Sequence, residues 1–292
     1  MMLTARNLLD WSKWTYLTSG IVERWRQARR CPSCGGDGPA VDRKYFHSLH
    51  QCAGCCLVFR YPHESTSEMT SFYENDYSEP GLTTELPSEA VLADLLSNNF
   101  RGSAKDFSYI MSVLRAAGLQ PGQRLLDYGA NWGYATYQFR KAGFSADGLE
   151  ISTPRARFAR KLGLEIATDA RELRGGYDMV YSCHVLEHVP NPRETIRQQL
   201  ALTRSGGLVI GHTPNGSAAW RVADPGAFHR LWGKVHPVLL TDEFIRRSFS
   251  NYVTYVSSSD QPEQLREWDQ KCSFVGDTSA RGLFFVIVNH AA

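Results

Sequence analysis

The chain has 292 residues, 42% of them hydrophobic and 21% charged, which is the composition of a soluble globular protein and excludes disordered and fibrous classes. A formal net charge of +2 excludes a generally basic nucleic-acid binder. No run approaches the about 18 uninterrupted apolar residues of a membrane span, and Arg6, Asp10 and Lys13 break the N-terminal apolar stretches, so neither membrane insertion nor a secretory signal is expected and the address is cytoplasmic.

Residues 1–30 carry Leu8, Leu9, Trp11, Trp14, Leu17, Ile21, Val22 and Trp25 at roughly helical spacing, which predicts an N-terminal amphipathic helical segment. Its tryptophan stripe packs on the chain's own body or meets a partner, and it is compatible with a homodimer. Charge is uneven beyond that point. Residues 1–60 hold nine Lys/Arg against four Asp/Glu, with Arg24, Arg26, Arg29 and Arg30 clustered, whereas residues 61–100 hold eight acids and no Lys or Arg. Two solvated surfaces, or one facing the other, explain this pattern better than a nucleic-acid patch.

Cys31 and Cys34 form one C-x2-C pair, Cys52 and Cys55 a second, with 17 residues between them. Two such knuckles place four thiolates around one tetrahedral Zn2+, so residues 31–60 read as a zinc ribbon. Disulfides are the alternative, and a cytosolic setting disfavours them. Four cysteines leave no open coordination position, which makes the metal structural. Cys56, Cys183 and Cys272 read as small buried apolar residues. Residues 61–104, with "SFYENDYSEPG", read as an acidic linker or lid.

From residue 105 to 292 helices and strands alternate. Helices are expected over 105–118, 132–142, from 152 onward, and over 192–202, 242–250 and 262–271. Strands are expected over 124–128, 145–150, 164–167, 177–184, 207–213, 252–258 and 283–290, with an irregular cap segment at 212–240. Apolar strands separated by helices predict an α/β, doubly wound, mostly parallel sheet. Ligands of such sheets bind beyond the carboxyl ends of the strands, beside the first one. There the chain reads Asp127, Gly129, Asn131, Gly133, which is D-x-G-x-G-x-G with Asn at one glycine position. Asn tolerates left-handed backbone angles best among non-glycine residues, so the loop keeps its shape.

With "LLDYGANWG", "GLEIS", "YDMVYSCHVLEHVPNP" and "SGGLVIGHTPN" in this order, residues 105–290 resemble the class I S-adenosylmethionine-dependent methyltransferases. "CPSC…QCAGCCLVF" followed by "FYENDY" is similar to the zinc-ribbon leader of a subset that includes deoxysugar methyltransferases. The resemblance implies a Rossmann-like seven-stranded sheet and S-adenosyl-L-methionine as cofactor. It implies that Gly129, Asn131 and Gly133 admit the methionine part, that Asp127 braces the loop, and that Glu150 takes both ribose hydroxyls. His184 falls in the fourth-strand segment beside the cofactor. Asp169 matches a position that contacts the adenine amino group, although a helix N-cap is the other reading. Glu187 and His188 belong to the family pattern, as packing residues or as substrate contacts.

The resemblance implies a small-molecule acceptor, most consistent with a hydroxyl of a sugar or secondary metabolite. Removing its proton calls for a base near neutral pH. His236, five residues before Thr241, resembles the proposed base of the zinc-ribbon sugar enzymes, and His212 is the second candidate; anchoring the cap by hydrogen bonds is the other role open to each. A nucleic-acid methyltransferase is the rival reading, weakened because Ser182-Cys183-His184-Val185 replaces the Asn/Asp-Pro-Pro-aromatic stretch of base-amino methylation. A cofactor-less module is the other, motivated by Asn131 alone.

Overall fold

The computed structural model describes residues 28–63 and 84–290. The predicted N-terminal helices, their tryptophan stripe and most of the acidic linker, including "FYENDY", lie outside the described residues. No helix among the described residues is long and apolar enough to cross a membrane.

Two sheets organise the chain. The first is small and antiparallel: β1 (Ala40–Lys44), β2 (His47–Gln51) and β3 (Val58–Tyr61) follow the first cysteine knuckle, and β9 (Val238–Leu239) pairs with β3 from far along the chain. Its fourth strand therefore comes from the segment read as an irregular cap. That segment also holds two short helices, Ala218–Ala223 and Pro225–Leu231. They escape sequence reading because six or seven residues are too few for helical periodicity to emerge.

The second sheet has eight strands. Its central and outer parallel strands are β4 (Arg124–Tyr128), β5 (Ser145–Leu149), β6 (Ile166–Ala167), β7 (Tyr177–Cys183) and β8 (Thr203–Pro214). On the other side β12 (Gly282–Val288) runs antiparallel to both β8 and β10 (Val253–Ser257). The order is β11-β10-β12-β8-β7-β4-β5-β6. Seven strands are expected and eight pair, because β11 (Phe274–Val275) adds an edge; two exposed residues carry no alternation from which to read a strand.

Both faces of this sheet are buried, as near-continuous apolar strands require. Leu126, Val180, Val209 and Phe285 point to one face, against Ile196 and Leu200 of the helix Pro192–Leu202 and Phe244 of the helix Asp242–Ser248. Their neighbours Leu125, Met179, Ile210 and Phe284 point to the other, against Leu114 of Ser108–Ala116, Phe139 of Tyr134–Lys141 and Leu265 of Pro262–Glu267. The last of these helices ends at Glu267, short of the expected 271, where Asp269 turns to accept the Lys271 N–H. A third core, Leu49, Val58, Trp220, Phe228, Trp232 and Leu239, joins the small sheet to the cap segment.

Candidate active site

The chain leaves β4 at Tyr128 and enters the next helix at Tyr134, and the five residues between them alternate into left-handed backbone. Gly129 has φ +90°, Asn131 φ +54° and Gly133 φ +87°. Asn131 adopts the expected conformation, and its Oδ1 accepts the Trp132 N–H at 2.8 Å. A Cβ at Gly129 would sit 2.3 Å from Val185 Cγ2, and one at Gly133 2.5 Å from Leu164 Cδ1, so a side chain at either place would force its neighbours to move at a backbone angle that L residues rarely adopt. Asp127, buried on β4, accepts the Thr136 hydroxyl at 2.7 Å and so ties the strand to the following helix. Burial pushes its carboxyl up to about 6, against the pull of the Thr136 hydrogen bond.

Glu150 stands at the tip of β5 with its carboxylate turned onto this loop. Oε2 accepts the Asn131 N–H at 2.9 Å; Oε1 accepts the Ser152 N–H at 2.7 Å and Arg155 Nη2 at 3.1 Å. Three of the roughly four lone-pair directions of a carboxylate are thus in use among the described residues. In this arrangement one direction is left for a ligand hydroxyl, and a second opens if Arg155 releases the carboxylate.

Asp169 is the N-cap of the short 3-10 turn Ala170–Glu172, accepting the Arg171 N–H at 2.8 Å, and its carboxylate is clasped by the Arg171 guanidinium. These are the hydrogen bonds of the cap reading.

A second constellation forms where β7 ends. His184 has φ +53°, donates its backbone N–H to the His212 carbonyl at 2.8 Å, and places Nδ1 2.9 Å from Glu187 Oε1. Glu187 is fully buried and also accepts the Thr213 hydroxyl at 3.0 Å. Burial drives its carboxyl up, but the charge of His188 and the hydrogen bond and charge of His184 outweigh that and hold it at about 2. His188 Nδ1 lies 2.7 Å from the Val235 carbonyl, and His236 Nδ1 2.7 Å from the Leu231 carbonyl. A carbonyl only accepts, so each Nδ1 carries a proton and Nε2 is the nitrogen left for another partner. The two rings are 5.0 Å apart.

His212 belongs to the same neighbourhood but not to that cluster. Its ring stacks on His184 at 6.2 Å, and its Nδ1 is 3.9 Å from Asp260 Oδ2. Burial lowers its pKa, more than the nearby Asp260 charge restores, so it is neutral at pH 7. His229 is elsewhere: it pairs with Asp42 of the small sheet at 2.9 Å. The joining of Glu187, His188 and His236 is missed by sequence reasoning, because His236 is 48 residues further on. The H-x-x-E-H spacing at His184, Glu187 and His188 was the available signal.

The four predicted metal cysteines do come together. Cys31 and Cys55 Sγ are 3.5 Å apart, Cys34 and Cys52 Sγ 3.4 Å, and all four sulfurs lie within 4.8 Å of one another. These separations are too long for a disulfide at about 2.05 Å. They suit a tetrahedral ion with Zn–S near 2.3 Å, which spaces its sulfurs by about 3.8 Å. The cluster is tied to the large sheet's helices, since the Ser33 hydroxyl lies 3.1 Å from Asn191 Oδ1, and Asn191 caps the helix Pro192–Leu202.

A family described as "Methyltransferase domain" matches residues 104–271. Ubiquinone biosynthesis O-methyltransferase of Bordetella avium (strain 197N) is 33% identical over 114 residues, covering 35% of this chain and 47% of that protein. The chain spans about half the length of the curated relatives it matches. Among solved structures, the plantazolicin methyltransferase BamL, in complex with a triazolic desmethylPZN analog and SAH, superposes with a TM-score of 0.51 at 11% identity over 77% of this chain and 95% of that one. Phosphoethanolamine N-methyltransferase 2 of Haemonchus contortus, in complex with S-adenosyl-L-methionine, gives 0.50 at 16% identity over 80% and 62%. These two likenesses concern the fold.

Proposed function

The chain belongs to this methyltransferase-domain family, and on that premise we propose that it transfers the methyl group of S-adenosyl-L-methionine to a hydroxyl of a small molecule, such as a sugar or secondary metabolite. One observation carries the reading: three left-handed residues, Gly129, Asn131 and Gly133, at the tip of β4, fastened by a backbone N–H to a buried carboxylate at the tip of β5. A loop of this shape exposes peptide groups to a ligand where side chains would block it. The residues fit the cofactor, with Glu150 able to accept one ribose hydroxyl and Gly129 and Gly133 giving backbone access. Oxygen as the acceptor atom is favoured by the relatives named as O-methyltransferases.

When bound, the cofactor supplies an already activated methyl group, so the chain's own work is to align the acceptor and see its proton removed. In this reading proton removal depends on His236, whose Nδ1 is held by the Leu231 carbonyl so that Nε2 is the nitrogen left to act, with His212 second. His184, at the end of β7 beside Val185 and Gly129, borders the place where cofactor and acceptor would meet. The four cysteines would hold a structural Zn2+, and their free thiols fit a reducing, cytoplasmic setting.

Calorimetry with S-adenosyl-L-methionine tests the cofactor, and His236→Gln tests the proton step. Full uptake by both proteins with collapsed turnover in the variant is expected; no uptake by the wild-type chain overturns the function.

A further inference from the structure

We infer that Glu187, His188 and His236 form a second metal site, one that binds a first-row divalent cation such as Zn2+ at the acceptor end of the active site. This inference rests on the methyl-transfer reading and states how His236 would act there.

Three observations converge. One oxygen of Glu187 and one nitrogen of each histidine lie within 4.8 Å of one another, with Glu187 Oε1 3.7 Å from His188 Nε2. Bonds of about 2.0–2.2 Å to a tetrahedral ion place ligand atoms some 3.3–3.6 Å apart, so closing the cluster needs movements of about 1 Å or less. The rings are already held as those of metal ligands are. His188 Nδ1 donates to the Val235 carbonyl and His236 Nδ1 to the Leu231 carbonyl, which leaves Nε2 of each ring for a ligand bond. Metal-bound histidines are held in this way by a carbonyl or carboxylate behind the ring. The carboxylate is prepared likewise: Glu187 is oriented by the Thr213 hydroxyl at 3.0 Å and by His184 at 2.9 Å.

Charge points the same way. Glu187 has no solvent exposure, and the ion pairs it makes among the described residues are with histidines. A buried carboxylate demands compensation, and a divalent cation between it and two imidazoles supplies it.

Two nitrogens and one oxygen leave a tetrahedral ion one open position, the arrangement of a catalytic rather than a closed site. An acceptor hydroxyl binding there becomes more acidic. Its O–H bond would break with the proton passing to His212 or to water, and the oxygen pair would form the new C–O bond as the methyl–sulfur bond of the sulfonium breaks and leaves its pair on sulfur. His236 then serves the proton step as a ligand of the ion. The cysteine cluster is separate and closed, so the full chain should carry two ions.

The test measures metal content of the full chain, incubated with Zn2+ and passed over a desalting column, by inductively coupled plasma mass spectrometry. About two Zn2+ per chain are expected in the wild type and about one in His188→Gln and in His236→Gln. The wild type titrated with Co2+ should show one ion with intense thiolate charge-transfer bands and a second without them, a readout that needs no variant. One ion per chain in the wild type, or two in both variants, overturns the site. Uptake of S-adenosyl-L-methionine by the same samples separates the two readings: normal uptake with a single ion removes only the metal site, whereas no uptake removes the methyltransferase reading itself.

Discussion

Glu150→Gln is the sharpest perturbation of the cofactor cradle, because the amide keeps the shape of the carboxylate and changes only what it can accept. Three donors converge on Glu150: the Asn131 N–H, the Ser152 N–H and Arg155. A glutamine offers one oxygen and one NH2. Turned toward Ser152 and Arg155, the oxygen keeps two bonds and the NH2 confronts the Asn131 N–H; turned the other way, it keeps one. The first orientation costs less: one hydrogen bond to a charged group, about 1.5–3 kcal/mol, with the added loss of charge opposite Arg155. That guanidinium is only 12% exposed, so the charge loss is not screened away. A total of about 2–4 kcal/mol lowers Tm by roughly 5–10 °C in a domain of this size. The lost anchor is on Asn131, so the cradle loosens, and affinity for S-adenosyl-L-methionine should fall at least about tenfold, the equivalent of 1.4 kcal/mol. Scanning calorimetry reads the first effect and isothermal titration the second. A Glu150→Gln protein with wild-type Tm and wild-type affinity would refute the claim that this carboxylate shapes the loop.

Three further outcomes follow from the same geometry. Gly129→Ala meets Val185 at 2.3 Å and a φ of +90°, so urea unfolding should show a loss of about 2–5 kcal/mol; adding Val185→Ala should recover the steric part and leave the backbone part. Asp127, raised to about 6 by burial, is favoured in its protonated form by folding; its contribution is fully present below the unfolded pKa of about 3.9 and is lost as pH rises through 6, some 3 kcal/mol in all. Stability of Asp127→Asn relative to the wild type should therefore rise between pH 4 and 6.5, and equal slopes in the two proteins would contradict the assignment. Cys52→Ser should raise the KM for the acceptor more than the Kd for S-adenosyl-L-methionine, since the strands that follow the cysteine knuckles bond directly to the cap segment at Pro237 and Val238.

Much of the large sheet is legible from sequence because both of its faces are covered. β4 and the helix Pro192–Leu202 fall on their expected bounds, the one as an apolar run ending at Asp127 and Tyr128, the other opened by Asn191 and Pro192. The left-handed Asn131 was readable too, from the glycine pattern it interrupts. What escapes is whatever depends on partners distant in sequence. β9 is two residues long and exists because Val58 and Phe59 lie beside it. The meeting of Glu187 and His188 with His236 is set by the Val235 and Leu231 carbonyls, whose positions only the folded chain defines. Glu150 stands at the strand tip where its place in the sequence puts it, but no residue pattern told that Arg155 would occupy part of its carboxylate.

The cysteine cluster and the histidines are connected by one mechanical path. Three residues beyond Cys55 the chain enters β3, where Val58 and Phe59 register with Leu239 and Val238 and the Arg60 N–H reaches the Pro237 carbonyl at 2.8 Å. Pro237 directly follows His236. From the other side Asp42 of β1 holds His229 at 2.9 Å and the Trp232 indole N–H at 2.8 Å, while the Thr241 hydroxyl bonds to the Cys56 carbonyl at 3.0 Å. The segment bearing His236 is thus pinned at both ends to strands whose start is fixed by the four sulfurs. A ribbon of some 30 residues buries too little apolar surface to be rigid alone, so a structural ion there would stiffen the frame on which the cap is hung. Misplacing a catalytic group by about 1 Å costs on the order of a hundredfold in rate. A zinc ion bonded to nothing in the active site would in this way set the rate through the position of a single imidazole.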